Sequence, residues 1–141
     1  MPTEKIILVD GNKILGKAFS MSLISEGYSV ILIDNGEDAL SLATYEKPDL
    51  IIMDPVMSGM DGFEVCVKLK EKEVTSSIPV VFLSRSFENS HIEKAKELGV
   101  MEYLSKRQYT PLKLSDKVKQ VFSKINDDKL RAMIGDTVET K

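Results

Sequence analysis

Residues 48–65, PDLIIMDPVMSGMDGFEV, carry the signals that decide the fold. The run Leu50–Met53 is continuously apolar, as expected of a strand buried on both faces, and the next residue is Asp54. A loop rich in glycine, methionine and serine follows, and Asp61 stands where an N-cap would precede a helix that begins at Gly62. This stretch therefore predicts a buried strand that ends on an acid and leads into a helix.

The same unit occurs five times along the chain, as an apolar run followed by apolar side chains at helical spacing. The apolar runs lie at residues 6–9, 28–33, 50–53, 79–83 and 100–104. Strict alternation of strand and helix predicts a doubly wound α/β fold, with a parallel sheet and helices on both faces. The apolar face of the last helix ends at Ile125, so we predict a domain over residues 1–125. Residues 126–141 are expected to form a C-terminal tail or linker, with at most a short helical turn.

The composition is that of an ordinary globular domain of 141 residues, 43% hydrophobic and 29% charged. The 19 basic and 22 acidic residues give a net charge of −3, which argues against direct nucleic-acid binding. The single cysteine, Cys66, excludes a fold held together by internal disulfides. Neither an apolar run of about 18 residues nor a signal peptide is found, so we expect a cytoplasmic domain without membrane contact.

Chemically useful side chains stand at the ends of four predicted strands. Ligands of an open parallel sheet bind at the carboxyl ends of the strands, so these positions are the first candidates for a site. They are Asp10 after the first strand, Asp54 after the third, Ser84 after the fourth and Lys106 after the fifth. Two carboxylates, a hydroxyl and an ammonium are therefore predicted to face one pocket.

Four strings of the sequence, taken in order, resemble the receiver domain of two-component response regulators. They are IILVDGN at 6–12, PDLIIMDPVMSGMDGFEV at 48–65, IPVVFLSRS at 78–86 and GVMEYLSKR at 99–107. The resemblance covers roughly residues 4–125 and implies a flavodoxin-like sheet of order 2-1-3-4-5. It also implies a phosphoprotein of signal transduction, not an enzyme. A histidine kinase or phosphotransfer protein would pass it a phosphoryl group, and its surface would then switch for an unknown output partner.

The resemblance gives a role to each of the residues at these strand ends. Asp54 matches the phospho-acceptor, Ser84 the switch hydroxyl and Tyr103 the switch aromatic, while Lys106 matches the lysine of the site. These residue types suit the chemistry, because a carboxylate is a weak nucleophile that must attack an activated phosphoryl group. Such a site needs mainly positive charge and hydrogen-bond donors around the phosphoryl oxygens.

The metal site departs from the family pattern. The resemblance implies Mg²⁺ bound by Asp10, Asp54 and the backbone carbonyl of Val56, but Gly11 stands where the family carries a second acid. The loss of that carboxylate predicts weakened Mg²⁺ binding. Arg85 follows the switch serine where the family usually has a small residue. Its guanidinium is expected either to shield Asp54 or to bind the phosphoryl group in place of metal charge.

Arg107 replaces the proline that follows the lysine in the family. A cis peptide bond before a residue other than proline costs about 2.5–4 kcal/mol, so we predict a trans Lys106–Arg107 bond. With a trans bond, the lysine is expected to approach along a shifted loop, which would place its ammonium farther from Asp54.

Two functions remain open from the sequence. One is a phosphorylatable receiver with an altered metal requirement, and the other is a pseudo-receiver that binds proteins independently of phosphorylation. Other classes with this fold are disfavoured: DGNKILG at 10–16 is not the hydroxyl-rich phosphate loop of a flavodoxin, and no G-x-x-x-x-G-K-[ST] motif is present. The single histidine, His91, is predicted to be a surface or cap residue away from the site.

Overall fold

The computed structural model describes residues 3–139, in which five strands and five helices alternate strictly. The strands are β1 (Lys5–Val9), β2 (Ser29–Ile33), β3 (Leu50–Met53), β4 (Val80–Ser84) and β5 (Glu102–Ser105). The helices are α1 (Lys13–Ser25), α2 (Gly36–Glu46), α3 (Gly62–Glu71), α4 (Asn89–Glu97) and α5 (Pro111–Glu139).

The five strands form one sheet in the order β2-β1-β3-β4-β5, and every neighbouring pair is parallel. In the centre of the sheet, Ile7 on β1 pairs with Ile31 on β2 and with Ile51 on β3. Because all strands run the same way, their carboxyl ends share one edge. The doubly wound fold and the strand order 2-1-3-4-5 are thus confirmed.

Two apolar cores lie on opposite faces of the sheet, because successive strand residues point to opposite sides. Ile6 and Leu8 face the core that α1 and α5 cover, whereas Ile7 and Val9 face the core that α2, α3 and α4 cover. Cys66 on α3 lies in the second core, where burial raises the pKa of its thiol to about 12. Its thiol therefore stays protonated at neutral pH, in keeping with a packing role.

Helix α5 is longer than the sequence predicts. Ile125 is its last residue in contact with the core, yet the helix continues to Glu139. Residues 126–134 contain neither proline nor glycine, and Lys124 lies 3.9 Å from Asp128 one turn on, so nothing local ends the helix. The division into a domain over 1–125 and a tail or linker over 126–141 stays a prediction. Neither α5 nor any other helix in the described part of the chain is both long and apolar enough to cross a membrane.

Asn12 joins the first acidic strand end to the start of α1. Its side-chain oxygen caps the helix by accepting a hydrogen bond from Leu15 N at 3.0 Å. Its own backbone N–H donates to Oδ1 of Asp10 at 2.9 Å. The cap therefore fixes the loop that orients the Asp10 carboxylate.

Replacing Asn12 with alanine is expected to lower the free energy of unfolding by about 1 kcal/mol, the usual loss for a removed N-cap. Asn12→Ser provides a matched control, because a serine hydroxyl can also accept from the helix amide. Urea denaturation of both variants measures the difference. An alanine variant as stable as the wild type, or a serine variant that loses as much as alanine, would contradict the capping role.

Candidate functional site

Three charged side chains meet at the carboxyl edge of the sheet. The Lys106 ammonium lies 2.7 Å from Oδ2 of Asp54 and 2.9 Å from Oδ2 of Asp10. The exposed fractions of the side chains are 4% for Lys106, 12% for Asp54 and 2% for Asp10. Two carboxylates and one ammonium therefore share a site that is largely removed from water.

Backbone hydrogen bonds between neighbouring strands hold these residues in place. Asp54 N donates to Val9 O at 3.0 Å, which ties the residue after β3 to the end of β1. Lys106 N donates to Ser84 O at 2.8 Å, which ties the residue after β5 to the end of β4. The positions of the side chains are thus set by the sheet and not by flexible loops.

All four oxygens of the two carboxylates have a polar partner: Lys106 donates a hydrogen bond to Asp54 Oδ2 and forms an ion pair with Asp10 Oδ2. Beyond the shared ammonium, Asp10 Oδ1 accepts from Asn12 N and Asp54 Oδ1 accepts from Val56 N, each at 2.9 Å. Buried carboxylates need this degree of pairing, because an unpaired buried charge is costly. With one ammonium between two carboxylates, the formal charge of the cluster is −1, which attracts a further cation.

The Lys106–Arg107 peptide is trans, as predicted, since the described residues contain no cis bond. The expectation that the ammonium would then lie farther from Asp54 is wrong, because the two groups are in contact at 2.7 Å. A tight turn follows the lysine: Gln108 N and Tyr109 N both donate to Ser105 O at 3.0 Å. The turn begins directly around the trans peptide bond, and the long lysine side chain still reaches both carboxylates.

Ser84 and Tyr103, the predicted switch pair, are both bonded to the same residue, Ser86. Ser84 is fully buried, and its hydroxyl oxygen accepts from Ser86 N at 3.0 Å. The half-buried Tyr103 donates its hydroxyl to Ser86 O at 2.6 Å. Its ring packs edge-on against Phe82 and Phe87, with centroids 6.1 and 5.7 Å away. Ser86 was not predicted as a site residue, because it carries no sequence signal beyond its position two residues after the switch serine.

His91 contacts the loop after β4, which the sequence did not predict, while its placement as a surface or cap residue away from the site stays a prediction. Its Nδ1 lies 3.0 Å from the Ser86 hydroxyl, and its ring centroid is 5.5 Å from that of Phe63 on α3. A lone histidine near the start of an amphipathic helix has no spacing pattern that would reveal such a contact.

Gly62 allows α3 to approach the loop that carries the acceptor carboxylate. A Cβ at this position would lie 2.6 Å from Cα of Pro55 and 3.2 Å from the backbone oxygen of Asp54. Gly62 N donates to Pro55 O at 2.9 Å across this close contact. The residue that opens the helix therefore also fixes the backbone on the carboxyl side of Asp54.

The oxygen donors of the site suit Mg²⁺ in kind but are few. Asp10 and Asp54 offer carboxylates, which Mg²⁺ prefers. Within residues 3–139, no group of three or more His, Cys, Asp or Glu side chains is arranged to hold a metal ion. A Cβ built on Gly11 would meet no atom within 4 Å, so the missing side chain leaves open space. The donor set fits Mg²⁺ with one acidic ligand fewer than the family pattern.

Two exposed arginines stand on adjacent loops at this edge. Arg85 directly follows Ser84, Arg107 directly follows Lys106, and both line one open cavity of about 470 Å³. Among the described residues, neither guanidinium forms an ion pair. Both are therefore available to an anion that approaches this edge.

Comparison with known proteins agrees with the fold and with the order of the motifs. The family model of the response regulator receiver domain matches residues 6–119. The probable transcriptional regulator ycf29 of Pyropia yezoensis is 38% identical over 102 residues, which are 72% of this chain and 46% of that protein. Protein PilH of Pseudomonas aeruginosa is 32% identical over 102 residues, 72% of this chain and 84% of PilH.

A solved structure extends the comparison to three dimensions. The chemotaxis response regulator CheY4 of Vibrio cholerae superimposes with a TM-score of 0.78 at 25% identity, over 85% of this chain and 99% of that one. The chain spans about half the length of several curated relatives that it matches, with 46%, 48% and 51% of their lengths covered.

Proposed function

The chain belongs to the response regulator receiver domain family of two-component signalling, and from this premise we propose that Asp54 accepts a phosphoryl group from a partner histidine kinase or phosphotransfer protein. The observation that carries the proposal is the Asp54 carboxylate at the sheet edge, held in contact with the Lys106 ammonium at 2.7 Å. A carboxylate fixed beside a cation can approach a phosphoryl group without a separate base.

In the proposed reaction, an Asp54 carboxylate oxygen forms a bond to phosphorus as the bond from phosphorus to the donor imidazole nitrogen breaks. The imidazole leaves with the electron pair of that bond and takes up a proton. Charge would then lie on the equatorial oxygens of the phosphoryl group. We propose that the Lys106 ammonium, which already contacts Asp54, and the Ser84 hydroxyl, at the end of the neighbouring strand, donate to these oxygens. Arg85 is proposed to add a guanidinium on the outer side of the phosphoryl group.

Receiver domains generally bind Mg²⁺, and here Asp10, Asp54 and the backbone carbonyl of Val56 would hold it. When bound, the ion supplies positive charge that offsets the phosphoryl oxygens. We propose that binding is weaker than the family pattern implies, because Gly11 lacks a carboxylate. The Lys106 ammonium already contacts both carboxylates and is a second source of positive charge within the site.

We propose that the domain acts in the cytoplasm, where it receives a phosphoryl group from a phosphodonor and then binds an output partner. Receiver domains interact with histidine kinases and output domains, and by analogy we propose partners of these two kinds for this chain. A similar segment of 108 residues, 39% identical, occupies 8% of the histidine kinase P4 of Formosa agariphila. Receiver-like segments thus occur both in regulators and in a kinase, and either setting suits the proposed transfer.

A second candidate function rests on Gly11. Without the second acid, a pseudo-receiver that binds partners independently of phosphorylation is the alternative. In that case the contact of Lys106 with Asp10 and Asp54 would be purely structural.

Incubation with phosphoramidate and Mg²⁺, followed by intact mass spectrometry, tests the proposal. We expect the wild type to gain one phosphoryl group and Asp54→Asn, which keeps the shape but not the charge, to gain none. Phosphoryl transfer to Asp54→Asn at the wild-type level would place the acceptor elsewhere. An unmodified wild type, under conditions that modify a control receiver, would favour the pseudo-receiver.

A further inference from the structure

Ser86 connects the switch serine, the switch aromatic and helix α4. Each of its three polar groups is used: its N–H donates to Ser84 Oγ at 3.0 Å, its carbonyl accepts from the Tyr103 hydroxyl at 2.6 Å, and its hydroxyl lies 3.0 Å from His91 Nδ1. These bonds leave little freedom for the loop between β4 and α4. The side-chain bond to His91 is the only one of the three that does not involve the predicted switch pair.

The His91 ring is held in turn by aromatic contacts inside the molecule. It is 31% exposed and packs against Phe63 at 5.5 Å, and Phe63 packs edge-on against Phe82 at 5.3 Å. Glu88, 69% exposed, lies 3.7 Å from the other ring nitrogen of His91. The imidazole that bonds Ser86 is therefore held against the core, and its bond to Ser86 restrains the loop between β4 and α4.

We propose that Ser86 and His91 are positioning residues that fix the Ser84 hydroxyl and the Tyr103 ring, an inference that rests on the proposed phosphoryl transfer for its kinetic consequence. The Ser86 N–H occupies a lone pair of Ser84 Oγ and so leaves the hydroxyl hydrogen to be donated elsewhere. If the His91 bond is lost, the Ser86 backbone is less restrained, and both the amide and the carbonyl lose their fixed positions. Tyr103 then loses its defined partner, and Ser84 loses its defined orientation.

Three variants separate the hydrogen bond from the packing. His91→Phe keeps a ring against Phe63 but removes the bond, Ser86→Ala removes it from the other side, and His91→Asn keeps an acceptor near the place of Nδ1. The first readout is the NMR signal of Tyr103 in protein with ¹³C-labelled tyrosine, without any phosphodonor. The chain has four tyrosines, and Tyr103→Phe assigns the signal.

We expect the Tyr103 signal to shift or broaden in His91→Phe and Ser86→Ala, and to stay close to the wild-type position in His91→Asn. A purely structural role for His91 would not be rescued by asparagine, which does not replace the ring packing. If His91→Phe leaves the Tyr103 signal unchanged, or if His91→Asn shifts it as far as His91→Phe does, the proposal is wrong.

The second readout is the rate of modification by phosphoramidate. We expect it to fall about threefold to tenfold in His91→Phe and in Ser86→Ala, the factor that one neutral hydrogen bond is worth, and the double variant to fall no further. Effects that multiply in the double variant would show that the two residues act separately and would overturn the coupling. A wild type that is not modified at all would refute the phosphoryl transfer, while the Tyr103 signal would still decide the positioning role.

Discussion

Lys106→Met is expected to lower the free energy of unfolding by about 3 kcal/mol, the largest stability effect that the site offers. The methionine keeps an unbranched side chain of similar length but removes the ammonium. Asp10 and Asp54, both largely buried, would then face each other without a cation between them. Two close carboxylates without a counter-charge repel each other, and each loses its contact with the ammonium. Urea denaturation at neutral pH measures the loss.

The matched control is the double variant Asp10→Asn/Lys106→Met. It leaves one carboxylate in the site, and the new amide can donate a hydrogen bond to Asp54 in place of the ammonium. We therefore expect the double variant to be more stable than Lys106→Met alone. If Lys106→Met is as stable as the wild type, or if the second substitution lowers the stability further, the ammonium does not hold the two carboxylates as described.

The parallel sheet with helices on both faces was predictable because apolar runs alternate with apolar side chains at helical spacing. Its order, 2-1-3-4-5, was expected only from the resemblance to receiver domains. The ends of the elements were less predictable. β5 begins at Glu102, two residues later than the apolar run at 100–104 suggests, although Met101 N already donates to Val80 O. Helix α5 continues past Ile125 because extending an existing helix needs no new nucleus, and residues 126–134 contain neither proline nor glycine.

The candidate site was predictable in its residues but not in its contacts. Asp10, Asp54 and Lys106 were expected at one edge because the carboxyl ends of parallel strands meet there. The distance between the Lys106 ammonium and Asp54 was predicted to be larger than it is, because the sequence does not reveal the turn after Ser105 that places the ammonium against the carboxylate. The bond between Ser86 and His91 was missed for a related reason: it depends on how α4 is seated against the sheet, which is set by tertiary packing.

The position of Gly11 leads to the second large effect. Gly11→Asp is expected to tighten Mg²⁺ binding by about tenfold or more, because affinity for hard cations rises with the number of anionic oxygen ligands. The substitution should be tolerated, since a Cβ at Gly11 meets no atom within 4 Å and the backbone there does not require glycine. Isothermal titration of Mg²⁺ into both proteins measures the change. If Asp54 is a competent acceptor, the rate at which phosphoramidate modifies Gly11→Asp should also be higher than the rate for the wild type.

Gly11→Asn and Arg85→Ala separate charge from the other effects of these substitutions. The asparagine offers an oxygen of the same reach without the negative charge, so it should tighten Mg²⁺ binding much less than the aspartate. Arg85→Ala should slow modification more at low Mg²⁺ than at high Mg²⁺ if its guanidinium supplies charge that the weak metal site lacks. A wild type that binds Mg²⁺ as tightly as Gly11→Asp would refute the weakened site. In that case Asp10, Asp54 and a backbone carbonyl would be enough to bind Mg²⁺ tightly. The Lys106 ammonium would then have to give up its contacts with both carboxylates when Mg²⁺ binds.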